Sequence, residues 1–200
     1  TAGIRKKSKI NNDLEFYSVV RSIKSIEKSD VSLLMIDATR SFDSQIKNIF
    51  WLAHRRNKGV VILVNKWDLV DKNNISTKDY EKKIKLEIEP FVDVPIIFIS
   101  TLKKQRIFKA LELAIKVYEN RSRKIKTSKL NDDLLEIISK NPPPSNKGEF
   151  VKIKFCNQLP GYYPQFVFYC NLPKYVKDPY KRFIENKIRN LYDFEGVPIT

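Results

Sequence analysis

Three side chains suited to recognition chemistry stand almost together where the sequence reads Asn65-Lys66-Trp67-Asp68, at the end of the apolar run VVILV over residues 60–64. A buried strand that ends in an amide, an ammonium and a carboxylate delivers them to the carboxyl edge of a sheet, where open α/β folds collect ligands. There, polar groups can face a ligand without being buried unpaired. A carboxylate at Asp68 can accept two hydrogen bonds at once from a planar pair of donors. Guanine offers that pair in its ring N1–H and exocyclic amine. Adenine presents an acceptor at N1 and would leave the carboxylate desolvated and opposed. A site built on a required hydrogen-bonding group discriminates by roughly 10⁴ to 10⁵. In this reading Asn65 holds the loop and reaches the base edge, while the methylene stem of Lys66 covers one face of the ring.

Two further segments fit the same chemistry. The run FIS over residues 98–100 ends another apolar strand, so that Ser100 and the backbone N–H of Thr101 can meet guanine O6 from the opposite side. The opening Thr1-Ala2-Gly3 resembles the end of an Asp-x-x-Gly motif, in which a glycine amide approaches a terminal phosphate because no side chain blocks it. Gly3 precedes Asn65 by 62 residues, a separation suited to two intervening βα units.

The elements that must position these groups alternate in period. Leu14, Tyr17, Val20, Ile23 and Ile26 recur at helical spacing, and Asp30–Ala38 is a short apolar run. Ile46, Ile49, Phe50 and Ala53 again lie on one helical face. The strand VVILVN follows, then a helix over residues 77–91, a strand over 94–100 and a helix over 106–120. Buried-type strands alternating with amphipathic helices predict βα units around a parallel sheet with flanking helices.

After Asn120 the pattern changes. A basic connector leads into a short amphipathic helix over residues 130–140, then into Pro142-Pro143-Pro144, which forbid a regular element. Two alternating stretches over 149–159 and 164–173 and a helix over 178–194, with Pro179 in its first turn, complete the chain. A small α+β domain is expected there, giving domains at 1–124 and 125–200.

Charge and cysteine usage narrow the partners. The 38 Lys and Arg against 23 Asp and Glu leave a net charge of +15, and 15 basic against 8 acidic residues follow residue 120. An anionic partner, most simply nucleic acid, is implied. Cys156 and Cys170 form no C-x-x-C and His54 is the sole histidine, so neither a disulfide framework nor a zinc site is expected, and a reducing, cytoplasmic compartment is. No apolar run is long enough for a membrane helix. His54 suits a helix C-terminus, and Asp37 and Asp43 have no matching carboxylate, so no chemistry is assigned to them.

With these residues in hand, the chain resembles the Der (EngA) family, tandem-domain GTPases of bacterial ribosome assembly. TAGIRKKSKI is similar to the phosphate-sensing segment of the family's second GTPase domain, NKWDLVDK to its guanine-recognition segment, and Ser100-Thr101 to its usual Ser-Ala. The proline run, VKIKFCNQLPGYYPQFVFYCNLP and DPYKRFIENKIRNLYDFEGVPI resemble its KH-like domain. The resemblance implies an α/β fold comprising the C-terminal part of a P-loop GTPase domain (1–124, lacking the P-loop and first switch) and a KH-like domain (125–200, C-terminally truncated), a C-terminal fragment of the family's chain.

It further implies GTP or GDP binding by Thr1, Ala2, Gly3, Ile4, Asn65, Lys66, Trp67, Asp68, Ser100 and Thr101, with Mg²⁺ only in a complete domain. A factor acting late in large (50S) ribosomal subunit biogenesis is implied, with that subunit, its rRNA and the family's first GTPase domain as partners. The basic stretch Ile4–Asn12 corresponds to the second switch, so Arg5, Lys6 and Lys7 join Lys152, Lys154, Lys181, Arg182, Lys187 and Arg189 as candidate RNA contacts. Departures are specific. The sequence contains no G-x-x-x-x-G-K-[ST], Ile4 stands where some GTPases carry a water-orienting glutamine, and the tail has no G-x-x-G clamp, since Gly148, Gly161 and Gly196 stand far apart. No catalytic residue and no metal ligand set is therefore assigned within these residues. Two readings stay beside this one: a non-catalytic RNA-binding or docking module with a degenerate GTPase half, and an Era-like single-domain GTPase.

Overall fold

In the computed structural model, which describes residues 21, 23–40, 42–71, 75–145 and 148–200, the chain divides into two units. One comprises Thr1–Asn120 and Glu195–Pro198, the other Arg121–Phe194 and Ile199–Thr200. The boundary read from the sequence, after residue 124, differs from this division at residues 121–124, which the contacts attach to the second unit, and at 195–198, which they attach to the first.

The first unit is built on β2, Gly59–Asn65, whose residues are buried up to Val64. It lies between β1 (Val31–Asp37) and β3 (Ile96–Phe98), and both pairings are parallel, in register from Val31 opposite Gly59 to Asp37 opposite Asn65 and from Ile62 opposite Ile96. Because side chains alternate across a sheet, β2 serves two cores. Val60, Ile62 and Val64 face a cluster with Phe50 and Ala53 of α1 (Ser44–Arg55) and Ile84 of α2 (Thr77–Glu87). Val61 and Leu63 face another with Ala110 and Val117 of α3 (Ile107–Ser122). A strand covered on both faces reads as a continuous apolar run, as this one does.

Helix starts follow capping chemistry. Asp43 Oδ1 accepts from the amides of Gln45 and Ile46 at 3.0 and 2.9 Å ahead of α1. Ser76 Oγ accepts from the Asp79 amide at 3.1 Å and donates to Asp79 Oδ2 at 2.6 Å ahead of α2. Asp43 is thus a helix cap. α2 ends at Glu87, short of the residue 91 read from the sequence, because Pro90 has no amide to donate and disfavours helical geometry at Glu89. The helix read over 13–27 falls largely outside the described residues; residues 23–28 are helical.

Residues 195–198 complete the first unit. The Gly196 carbonyl accepts from the Val60 amide at 2.8 Å, its amide donates to Asp93 O at 2.7 Å, and Val197 is fully buried with Val61 and Val117. Gly196 adopts φ +77°, and a Cβ there would stand 2.6 Å from Val117 Cγ2 and 2.9 Å from Val60 O, so only glycine fits.

The second unit packs α4 (Thr127–Lys140) and α5 (Asp178–Leu191) on a hairpin of β4 (Ile153–Gln158) and β5 (Phe166–Cys170). Its core joins Leu130, Leu134 and Ile138 of α4, Cys156 of β4 and Tyr180, Ile184 and Ile188 of α5, each helix contributing at steps of four. Antiparallel pairing places Phe155 opposite Tyr169 and Cys156 opposite Phe168, with a register shift between Ile153 and Phe155. The Asn131 side chain of α4 binds both backbone groups of Cys156, donating to its carbonyl at 2.7 Å and accepting from its amide at 2.9 Å. Gln158 likewise accepts from the Ile125 amide at 2.9 Å and donates to Arg123 O at 2.8 Å.

Candidate functional site

The chain leaves β2 at Asn65 and turns immediately. Lys66 adopts a left-handed backbone, φ 62° and ψ 30°, and a single 3₁₀ turn, Trp67–Leu69, follows. A non-glycine residue holds that geometry only where its surroundings enforce it. Here Trp67 enforces it: its indole is buried against Phe98 and Tyr80, with ring centroids 4.4 and 5.5 Å apart, and its amide donates to Ile99 O at 3.2 Å. With Trp67 pinned inward, Asp68 is delivered to the carboxyl edge of the parallel sheet.

Asp68 is well supported there. Its side chain is 6% exposed, the Ser100 hydroxyl hydrogen-bonds it, and Lys103 Nζ lies 3.7 Å from Oδ2. The Ser100 hydrogen bond chiefly, with the Lys103 charge, holds the carboxyl below the usual aspartate range against the opposing effect of burial, so the group is anionic at neutral pH. Ser100 is itself fully buried, and its Oγ also accepts from the Lys103 amide at 3.1 Å. A short bridge between Ser100 and Gln105 folds the intervening loop back on itself.

Asn65 ties the two loops together. Its Oδ1 accepts from the Thr101 amide at 3.1 Å and from Thr101 Oγ1 at 3.3 Å. The structure thus brings Asn65, Lys66, Trp67, Asp68, Ser100 and Thr101 to one edge. The Ser100 hydroxyl and Thr101 amide, read from the sequence as free to meet a ligand, are engaged with Asp68 and Asn65, because loops joined at one sheet edge must satisfy their own polar groups. Thr1, Ala2, Gly3, Ile4, Arg5, Lys6 and Lys7 lie outside the described residues.

Asp37, given no chemistry by the sequence, belongs to this edge. Its Oδ2 receives Lys66 Nζ at 2.7 Å, and its Oδ1 accepts from Thr39 N and Thr39 Oγ1 at 3.0 and 2.7 Å. The Lys66 hydrogen bond, with those from Thr39, lowers its carboxyl to about 2. The signal that would have found it is register: Asp37 ends the strand beside β2, directly opposite Asn65. Lys103 was also missed, since its approach to Asp68 depends on the turn at Ser100.

In the second unit, Lys152, Lys154 and Arg182 are exposed, and Lys181 pairs with Asp178 at 3.0 Å on the surface. Lys187 Nζ lies 5.4 Å from the Phe183 ring. Arg189 is used internally: 9% exposed, it binds Glu185 Oε1 at 2.9 Å and the Phe194 carbonyl at 3.1 Å, so it is a fixture of the α5 end. Among the aromatics, Tyr180, Phe166 and Phe168 pack in or against the core, while Tyr169 faces outward beside Phe155. Cys156 and Cys170 are free thiols, and burial pushes Cys156 up to about 11. His54 packs between the Trp51 and Phe91 rings. Among the described residues no group of three His, Cys, Asp or Glu could hold a metal, and no helix is long and apolar enough to cross a membrane.

Two family models match the chain. Residues 17–140 match the model of the elongation factor Tu GTP binding domain. Residues 124–200 match the KH-domain-like family of EngA bacterial GTPase enzymes, C-terminal. GTPase Der of Christiangramia forsetii is 64% identical over 200 residues, that of Flavobacterium psychrophilum 64% over 199 and that of Phocaeicola vulgatus 57% over 202; each match covers all of this chain and 46% of the relative. The chain therefore spans about half the length of the curated relatives it matches. Among solved structures, Era in complex with MgGDPNP and nucleotides 1506–1542 of 16S ribosomal RNA matches at 24% identity with a TM-score of 0.45, over 98% of this chain and 70% of that one. A likeness at that level carries no argument.

Proposed function

Because the chain belongs to the Der (EngA) family of GTPases, we propose that its first unit recognises the guanine base of GTP and GDP through Asp68. The observation that carries this reading is a nearly buried carboxylate, held anionic by Ser100, at the carboxyl edge of a parallel sheet. Guanine N1–H and the exocyclic amine satisfy its two oxygens, and a base without that donor pair leaves a desolvated charge unpaired. Asn65 supports the site by holding the Thr101 loop, and the Lys66 stem, anchored through Nζ to Asp37, flanks the ring. Trp67 acts from below as the wedge that fixes the turn.

The proposed context is a GTP-binding, GTP-hydrolysing factor of late large-subunit biogenesis in the cytoplasm. Its second unit docks on the subunit and its rRNA. Hydrolysis rests on electrostatic stabilisation of the transferred phosphoryl group, which in such enzymes comes from a phosphate-binding loop, its lysine and Mg²⁺. The motif G-x-x-x-x-G-K-[ST] does not occur in these 200 residues, so the described residues account for base recognition and docking and no step of hydrolysis is assigned to them.

The test is a nuclear magnetic resonance titration of the 200-residue chain with millimolar GDP, ADP and xanthosine diphosphate. GDP should shift the amides around residues 65–68 and 100–103 and ADP should not, whereas Asp68→Asn should transfer the preference to the xanthosine nucleotide, whose C2 carbonyl accepts where the guanine amine donates. Equal responses to GDP and ADP would refute base recognition at Asp68.

A further inference from the structure

The β4–β5 hairpin turns an aromatic pair outward. Phe155 and Tyr169 lie directly opposite each other across the strands, their ring centroids 5.6 Å apart and tilted by 45°, and they are 42% and 51% exposed. Strict alternation from Ile153 would put Lys154 outward and Phe155 inward. The register shift between Ile153 and Phe155 supplies an extra residue on β4, so that Lys154 and Phe155 are both exposed while Ile153 and Cys156 stay with the core. A bulge re-aims a side chain in this way, and here it leaves a lysine and an aromatic consecutive and both exposed.

The charge along the segment that carries the pair is of one sign. Between Glu149 and Asp178 the sequence holds no acidic residue, and it places Lys154 on the strand that carries Phe155 and Lys152 just ahead of it. Residues 121–194 hold fifteen Lys and Arg against seven Asp and Glu. An outward aromatic pair in a field of cations complements a polyanion whose bases are unstacked, since every base has a π-face and every phosphate a charge. Duplexes present neither base faces nor single-strand flexibility. The backbone clamp of other such modules is missing, because no G-x-x-G occurs.

We propose that the outer face of this hairpin is a binding platform for single-stranded RNA, with bases stacking on Phe155 and Tyr169 and phosphates meeting Lys152 and Lys154. This rests on the reading that the second unit docks on rRNA and adds the chemistry and place of contact.

The experiment uses the 200-residue chain and fluorescence anisotropy with a labelled single-stranded uridine 12-mer and an RNA duplex of equal length. Phe155→Leu and Tyr169→Leu keep apolar bulk and remove the π-face, and Tyr169→Trp restores one. Each leucine variant should weaken single-strand binding about fivefold or more, with an unchanged salt slope. Tyr169→Trp should bind as the parent does. Lys154→Gln should flatten the slope of log affinity against log salt by about 0.7. Thermal unfolding of each variant identifies one that has lost its fold, in which case the tryptophan variant and the lysine slope decide. Leucine variants that bind as tightly as the parent would overturn the platform, as would duplex bound as tightly as single strand. RNA binding that ignores the aromatics but falls when Lys181 and Arg182 are replaced would sink the platform and leave rRNA docking standing. No binding of either RNA would sink both, and a purified ribosomal protein captured through Phe155 would replace the proposal with a protein interface.

Discussion

Replacing Gly196 with alanine tests whether four residues near the chain's end are integral to the first unit. Two costs follow from the geometry. At φ +77° any residue with a Cβ pays for a left-handed backbone, about 1–2 kcal/mol. The added carbon would also stand 2.6 Å from Val117 Cγ2, 2.9 Å from Val60 O and 3.1 Å from Pro95 Cδ, and such overpacking costs about 1–3 kcal/mol. The sum is about 2–5 kcal/mol. Gly148→Ala is the matched control, since Gly148 has φ +83° with nothing within 4 Å of an added Cβ, leaving only the backbone cost. Trp51 and Trp67, the protein's two tryptophans, both lie in the first unit, so tryptophan fluorescence reports that unit alone. With a urea dependence of about 2 kcal/mol per M, Gly196→Ala should lower the tryptophan midpoint by about 1–2.5 M. Gly148→Ala should leave it unchanged. An unshifted midpoint in Gly196→Ala would refute the assignment of residues 195–198 to this unit.

Other outcomes follow from the site. Ser100→Ala removes the main group lowering the Asp68 carboxyl while burial still raises it, so the Asp68 titration followed by carboxyl-carbon resonance should move to higher pH. Nucleotide response should then fade at a higher pH than in the parent. Asp37, held to about 2 by Lys66 and Thr39, contributes stability that is fully present above the unfolded aspartate value near 3.8 and is lost as pH falls through about 2. Acid unfolding of Asp37→Asn should therefore show a flatter dependence between those limits than the parent; an unaltered slope would mean the Lys66–Asp37 contact does not form. GTP should bind the 200-residue chain with a dissociation constant no tighter than about 1 mM, or roughly 4 kcal/mol, and micromolar binding by calorimetry would show phosphate contacts beyond the single glycine amide that the sequence suggests.

What was legible in the sequence is what local pattern carries. The run VVILV announces a strand covered on both faces, and Ile46, Ile49, Phe50 and Ala53 announce the buried side of α1. The convergence of Asn65 and Asp68 with Ser100 and Thr101 follows from both segments ending adjacent parallel strands. Asp37 escaped because its role depends on which strand lies beside β2, and spacing along the chain does not encode that. Gly196 escaped because its partners are Val60 and Asp93, far away in sequence. Phe155 escaped because a single extra residue breaks the two-residue period on which strand faces are read. Arg189 looked like a surface cation by type, yet a carboxylate and a carbonyl within reach draw it inward.

The side-chain amide of Asn131 has a bearing on how this protein behaves when crowded with copies of itself. A hairpin of two strands has two open flanks, and each is an invitation for a further strand to join. On the β4 flank, the peptide groups of Cys156 are already taken by an amide of nearly the same shape as a peptide, while two residues on the Gln158 side chain reaches across to the backbone of Arg123 and Ile125 ahead of α4. At Cys156 that flank is thus closed by mimicry, with helix α4 posing as the next strand and lending no edge of its own.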